Sequence, residues 1–488
     1  MGYAITSPAQ VVPPAPLEFS MLGLTEAAKR IRTGEFTSEA YAAALLQRAR
    51  GAADLNSFIT IDENAVLEAA NQADNARAAG ATAPLLGVPL GVKDSYLTAG
   101  LPTSLGLASL ARFTPREDAD AVRAIKRAGA IVFGKNNLVE MSYGLTGHNE
   151  RYGQVKNPYA LDHVTGGSSS GSAAAVAAGI VPASLGGDTV GSIRVPASFC
   201  GVVGFKPTTG RWPRGGVAPI SHTLDTTGAF ARSVEDCILL DQVVTGEAGE
   251  QISGNRDDLK GVRLAFAPRQ FLDLVDPDVE ARFREAVRWL REAGAELVEI
   301  DLGEDFNGLV RTATWGIFAH ETMGAISEFL RLHHIPITFE AIYEGLKPQL
   351  RQAWGDIVIP GGAGITSDED YRRALDVSRP EIRRRLEKTF VAGGASAILQ
   401  PTTPCTAPPI AEQATVHISG QEVSYLALAN HTVSASSVGL PGISLPAGMS
   451  KTGLPISLEL DGPLNFDTRL LDLARKIERV LSVQATPG

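Results

Sequence analysis

Gly166-Gly167-Ser168-Ser169-Ser170-Gly171-Ser172 and, a little further on, Gly186-Gly187-Asp188-Thr189-Val190-Gly191-Ser192-Ile193-Arg194 crowd serines, glycines, one acid and one base into a short segment. Glycine lets backbone N–H groups come close to a developing negative oxygen, and serine supplies a hydroxyl that can attack. The segment reads as an active-site loop. Between the two blocks runs Ala173-Ala174-Ala175-Val176-Ala177-Ala178-Gly179. The most apolar stretch of the chain, Ala173 to Leu185, is broken by Gly179 and Pro182, so it is not a membrane span.

Working outward, the second block continues into Pro196-Ala197-Ser198-Phe199-Cys200-Gly201-Val202-Val203-Gly204-Phe205-Lys206-Pro207-Thr208. Three more pieces belong with it: Gly87-Val88-Pro89-Leu90-Gly91-Val92-Lys93-Asp94, Gln400-Pro401-Thr402-Thr403-Pro404 and Gly439-Leu440-Pro441-Gly442-Ile443-Ser444-Leu445-Pro446-Ala447-Gly448. Together these blocks resemble the amidase signature family of hydrolases over most of the chain. The resemblance implies an α/β fold with a large mixed central β-sheet flanked by helices, and one amidase domain over residues 1–488. Within it, 1–80 would be an N-terminal helical flank and 81–250 the catalytic core. Residues 305–395, rich in charge and carrying Trp315, Phe318, Phe329, Tyr343 and Trp354, read either as a helical cap inserted in the core or as a plain surface insertion.

The resemblance also implies roles. Ser192 falls on the family's acylated nucleophile, Ser168 on its bridging serine and Lys93 on its general base and acid. The bond before the bridging serine, here Gly167–Ser168, is cis in the family. Backbone N–H groups of Thr189, Val190, Gly191 and Ser192 would form the oxyanion hole, with Asp188, Arg194 and Ser169 bracing the loop. Met141, Ser142, Tyr143 and Gly144 fall where family members line the substrate pocket. Two departures stand out: most members carry Thr at the position of Gly187 and Gly at the position of Val190. If that position needs a positive φ, valine is strained there; alternatively it narrows the acyl pocket.

The chemistry behind those roles is a relay. Neutral Lys93 takes a proton from Ser168, Ser168 takes one from Ser192, and the path runs backward to protonate the leaving nitrogen. A lysine near its ordinary pKa of ~10.4 is neutral in only about one molecule in a few thousand at pH 7. Burial in a low dielectric can lower that value by about 3–5 pH units. Lys93 follows the apolar run Leu85 to Val92, as a lysine carried inward on a strand would.

Other readings of the same residues are weaker. Gly167-Ser168-Ser169-Ser170-Gly171 matches the G-x-S-x-G nucleophile elbow, which would make Ser169 the nucleophile. That elbow needs a hydrophobic strand directly before it, whereas Asn157-Pro158-Tyr159-Ala160-Leu161-Asp162-His163 reads as loop. No lysine has a serine three residues before it, which removes the Ser-x-x-Lys motif. The eight histidines form no metal-binding pair, and neither metal nor cofactor is expected. Trp212, Trp315 and Phe318 fit pocket and packing roles equally.

Composition sets the outer limits. Across 488 residues, 44% hydrophobic and 20% charged side chains describe an ordinary folded protein, and a formal charge of −10 disfavours nucleic-acid binding. Cys200, Cys237 and Cys405 are odd in number and scattered, so no disulfide framework is encoded and a reducing cytoplasm is the expected location. Met1 to Leu17 has no basic residue ahead of an apolar core, unlike a secretory signal, and reads as a loosely held arm. The expected partner is a small-molecule amide, with no membrane and no nucleic acid, on a monomer or homodimer.

Local patterning agrees with an α/β fold. Helical spacing predicts helices from Ser38 to Arg50 behind Thr37, from Ile61 to Ala79 and from Asp118 to Arg127, and then a strand at Ala130–Gly134. The same grammar predicts a strand at Val262–Ala267, a helix from Asp278 to Ala293 and a strand at Leu297–Ile300, with short apolar runs between Gly439 and Leu460. The segment Thr209–Thr226 is similar to stand-alone arylacetamide hydrolases of the indoleacetamide and mandelamide type. It is less like the glutamine-handling component of the tRNA-dependent amidotransferase, which needs partner subunits. The expectation is an amidase acting on a small aryl carboxamide. A carbamate (urethane) or anilide hydrolase is the first alternative, and the glutamine-handling component of an amidotransferase is the second.

Overall fold

In a computed structural model that describes residues 19–247 and 258–485, the apolar runs of the sequence become strands of one large sheet. The arm expected over Met1–Leu17 lies outside the described residues. In chain order the strands are β1 (Phe58–Thr60), β2 (Pro89–Lys93), β3 (Ile131–Asn136), β4 (Lys156–Asn157), β5 (Ala160–Val164), β6 (Ala183–Asp188), β7 (Val203–Lys206) and β8 (Thr226–Ala231). They continue with β9 (Arg263–Phe266), β10 (Glu296–Glu299), β11 (Ala397–Pro401), β12 (Thr415–Ile418), β13 (Gln421–Ser424), β14 (Gly442–Met449) and β15 (Pro455–Asp461).

Eleven of these strands form a single sheet in the order β1-β3-β2-β6-β8-β7-β14-β15-β11-β9-β10. Two parallel blocks, β3-β2-β6 and β11-β9-β10, flank a centre of antiparallel pairs. Parallel neighbours need a long crossover, and helices supply it. The helix Asp120–Arg127 joins β2 to β3, and Pro277–Glu292 joins β9 to β10. Gly129, at φ 90°, turns the chain after the first of these, where a Cβ would meet the Leu86 backbone at 2.7 Å.

Every residue of β2, β8 and β15 is buried, so the middle of the sheet is covered on both faces. Its two edges are short: β1 has three residues, and β10 has four, with exposed Glu296 and Glu299 at its ends. One core cluster collects Phe133, Phe205, Trp212 and Phe230 around the sheet. A second joins Val190, Ile220 and Leu224 to Phe306, Ile317, Phe318, Phe329 and Trp354.

The expected helices appear, the first behind its expected cap Thr37 and the second behind Asp62, which the sequence reading places inside the helix. Thr37 accepts from the Ala40 amide ahead of Ser38–Gly51, and Asp62 accepts from Ala65 ahead of Glu63–Ala78. Residues 305–395 are mostly helical: Phe306–Leu332, Phe339–Gly345, Pro348–Ile357, Asp368–Arg373 and Arg379–Val391, the last two linked by a π turn over Ala374–Ser378. One expectation is corrected. The segment 157–163, read as loop, contributes to an antiparallel ribbon of β4 and β5, with Asn157 opposite Ala160. Exposed Leu161 and Asp162 at its middle gave no apolar alternation to read, and the ribbon stands outside the main sheet.

All three cysteines are buried thiols, and no helix among the described residues is long and apolar enough to cross a membrane. Phe230 on the central strand β8 is fully buried, so Phe230→Ala should cost about 3–5 kcal/mol. A lowered thermal unfolding midpoint would register it.

Candidate active site

Two neighbouring parallel strands deliver the residues singled out from the sequence. Lys93 is the last residue of β2 and Asp188 the last of β6, and these strands pair through Gly91 with Ser184 and Val92 with Leu185. The helix Ser170–Ala177 starts just beyond Ser168 and Ser169, and the Gly167–Ser168 peptide bond is cis. The Lys93 side chain, 1% exposed, puts Nζ 2.8 Å from Ser168 Oγ. Burial brings the Lys93 amine down to about 7, although Asp188 and Asp225 pull the other way. A large fraction of the amine is therefore neutral at neutral pH and able to accept a proton.

The loop between β6 and the helix Arg194–Cys200 is held by a buried ion cluster. Arg194 donates from Nε and Nη2 to Asp188 at 3.0 Å each, from Nη1 to Glu459 at 2.5 Å and from Nη2 to Ser436 at 2.6 Å. Burial pushes the Asp188 carboxyl up, but the Arg194 charge and hydrogen bonds leave it below its ordinary value. The Ile193 amide adds a further donor to Asp188 at 3.1 Å. Ser169 Oγ spans the two blocks, donating to the Gly187 carbonyl at 3.1 Å and accepting from the Gly187 amide at 3.2 Å, while its own amide donates to Ser192 O. Asp188, Arg194 and Ser169 thus brace the loop geometrically.

The Val190 departure has a physical answer. Val190 is not among the residues of positive φ; that conformation falls on Gly191, at φ 143°. A Cβ on Gly191 would sit 2.3 Å from Thr432 Oγ1, so only glycine fits there. Thr432 Oγ1 donates to the Val190 carbonyl at 2.5 Å, and the Val190 side chain is buried in the second core cluster. Valine at this position carries no positive-φ strain, and it packs in the same cluster as Ile220 of the cavity wall.

A cavity of about 210 Å³ opens beside Lys93 and Ser168. Asp188 reaches it from the end of β6, Thr189 from the loop, Val217 and Ile220 from the segment before β8, and Phe329 from the helix Phe306–Leu332. Of the four pocket residues expected, only Ser142 lines it. Met141 is buried in the core, Gly144 packs near Val139, and Tyr143 hydrogen-bonds Thr322 and stacks edge-on with Phe318 and Trp354. Ser192 is buried outside the cavity lining, and among the described residues no hydrogen bond joins its hydroxyl to Ser168. Trp212 donates to Asp241 in the core, and Trp315 packs on Phe318; neither lines this cavity.

Sequence reasoning passed over Asp225. It accepts from Thr189 Oγ1 at 2.7 Å and from the Ile220 and Ser221 amides at 2.8 and 3.0 Å, tying the loop to the cavity wall. A lone aspartate ahead of a strand carries no spacing signal, so only its partners reveal it. No group of three or more histidine, cysteine or acidic side chains that could hold a metal occurs among the described residues.

Comparison with known proteins gives the family. The profile of the family described as Amidase matches residues 40–471. The chain is 35% identical to a mandelamide hydrolase of Pseudomonas putida, over 96% of this chain and 92% of that one, and 31% identical to an indoleacetamide hydrolase of Allorhizobium ampelinum, over 94% and 97%. It is also 34% identical to a glutamyl-tRNA(Gln) amidotransferase component of Chromohalobacter salexigens, over 93% and 96%. Among solved structures, one described as an amidase superposes with a TM-score of 0.83 at 32% identity, covering 94% of this chain and 99% of that one. The chain belongs to the amidase family. It is an amidohydrolase on a mixed α/β scaffold.

Two outcomes follow from the buried cations. Between about pH 7 and 10.5 the unfolded chain protonates Lys93 more fully than the folded one does, so this lysine opposes folding and its penalty fades as pH rises through that window. Lys93→Met should raise the unfolding midpoint at pH 7, with the advantage shrinking toward pH 10.5. Arg194→Met strands buried Asp188 and Glu459 and should cost about 3–5 kcal/mol, read as a lowered denaturation midpoint.

Proposed function

We propose that this amidohydrolase cleaves a small, aryl-containing carboxamide to a carboxylate and ammonia or amine through an acyl-enzyme on Ser192. Ser168 bridges and Lys93 is the base and acid. The observation that carries the reading is the buried lysine amine 2.8 Å from the Ser168 hydroxyl at the wall of the cavity. An amide resists hydrolysis because its leaving amine is poor, so the group that takes the nucleophile's proton must return it to nitrogen. A lysine brought down to about 7 does both near neutrality. The relay requires the Ser192 hydroxyl to hydrogen-bond Ser168 when substrate is bound.

The attacked carbonyl oxygen then lies against the amides of Thr189, Val190, Gly191 and Ser192, each such donor contributing about 3–4 kcal/mol to the transition state. Residues 305–395 act as a cap, since Ala325, Phe329 and Leu332 close one side of the cavity. Val217 and Ile220 face them as an apolar wall, and Arg214 is occupied by the His222 and Asp225 carbonyls, which suits an uncharged aryl group. The names of the mandelamide and indoleacetamide hydrolase relatives support the same substrate class. A urethane or anilide fits the same slot. The amidotransferase relatives favour a role within a complex, and turnover by the isolated chain without ATP separates that role from a stand-alone hydrolase.

A fluorophosphonate should label Ser192, located by peptide mass spectrometry; labelling at Ser169 would transfer the chemistry to the elbow reading. With indole-3-acetamide, mandelamide, an anilide and an aryl carbamate ranked by kcat/KM, the arylacetamides should lead. The rate should climb about tenfold per pH unit below 7 and level off above it, as Lys93 loses its proton. Lys93→Ala should lower kcat by at least about 100-fold in a folded protein.

A further inference from the structure

The long helix Phe306–Leu332 grips the cavity wall with two carboxylates seven residues apart, Glu321 and Glu328, a spacing that sets both on one helical face. Ala325, which lines the cavity, lies between them. Glu328 is exposed and pairs with His222 at 3.2 Å at the rim. Glu321 is buried and accepts four hydrogen bonds. Its Oε1 takes Thr223 Oγ1 at 2.6 Å and Tyr371 OH at 2.7 Å, and its Oε2 takes the Thr223 amide at 2.9 Å and the Ser221 hydroxyl.

Ser221 is where the chain of contacts turns toward the chemistry. Its Oγ also accepts from the Leu224 amide at 3.1 Å, and its own amide donates to Asp225 Oδ2. Asp225 in turn holds Thr189 Oγ1 through its other oxygen. Glu321, Ser221, Asp225 and Thr189 therefore form one continuous path, buried at Glu321 and Ser221 and half-buried at Asp225, from the helical segment to the first residue of the loop expected to bind the oxyanion. Each link is a hydrogen bond to a carboxylate oxygen, and such contacts are strong and directional.

We propose that Glu321 is a positioning residue for the reaction: it fixes the wall formed by residues 217–225 and, through Ser221 and Asp225, the placement of Thr189. The inference rests on the proposed aryl-amide hydrolysis, because it makes Glu321 a determinant of how that cavity discriminates an aryl acyl group from a short one. An ionised carboxylate suits the task. Burial alone would raise its pKa, but the donors from Ser221, Thr223 and Tyr371 keep it below its ordinary value. Glutamine can keep the arrangement, since the two hydroxyls on Oε1 can reverse and accept from an amide NH2 while the other oxygen still takes the Thr223 amide.

The test compares Glu321→Ala, Glu321→Gln and the wild-type chain by hydrogen exchange and by the ratio of kcat/KM for phenylacetamide over acetamide, each normalised to folded protein. Glu321→Ala should speed exchange in peptides covering 217–227 and also 187–192, and should lower the ratio about tenfold or more. Glu321→Gln should stay within about threefold on the ratio and keep both peptides protected. Faster exchange confined to 217–227, or an unchanged ratio, overturns the proposal, because a purely structural carboxylate would loosen its own surroundings without altering selectivity. Should Glu321→Ala fail to fold, Ser221→Ala cuts the same path at one hydroxyl and must move both readouts in the same direction. A wild-type chain that cleaves neither amide defeats the aryl-amide reading, while exchange at 187–192 still decides whether Glu321 holds the loop.

Discussion

A guanidinium with no access to water dictates the shape of this site. Arg194 is fully buried, and losing its hydration is costly unless every donor finds an acceptor. Asp188 at the end of β6, Glu459 on β15 and Ser436 from the helix Val433–Val438 supply them. Three separated parts of the chain meet at one cation, and the loop from Thr189 to Ile193 has its two ends pinned by the same ion pair. Any other path for that loop would leave a charge unpaired in the interior.

Lys93 shows the same physics with the opposite result. Three lysines near this region are buried, and their surroundings differ. Lys135 has the Asp94 carboxylate at 3.3 Å, and Lys206 donates to the Pro207 and Leu440 carbonyls and is brought down to about 8. Lys93 meets a serine hydroxyl that opens onto a cavity. A lowered pKa alone does not mark a base; what distinguishes Lys93 is a partner that can give up a proton and a space in which a substrate can lie.

The parts of this molecule written in consecutive residues were legible from the sequence. The apolar run ending at Lys93, the glycine and serine blocks, and the alternation of strands and helices around residues 118–134 and 262–300 each encode their own conformation locally. The β4–β5 ribbon was misread because exposed strands outside the main sheet lack the alternation that betrays a half-buried one. The pocket was misplaced for a related reason. Met141, Tyr143 and Gly144 lie close to Ser142 in the chain, yet the backbone takes positive φ at Met141 and Ser142, and only Ser142 reaches the cavity. Asp225 and Glu321 gave no signal because their partners come from distant segments, Thr189 for the one and Ser221, Thr223 and Tyr371 for the other.

The margins of the great sheet have a consequence of their own. Outermost strands present unsatisfied backbone groups on which a stray polypeptide can add itself, the first step toward insoluble fibrils. Here one border is only three residues long and the other carries a glutamate at each extremity. An incoming ribbon would find too few amides to pair with on one side and negative charge on the other. So broad a sheet offers little purchase at either border without a barrel to close it.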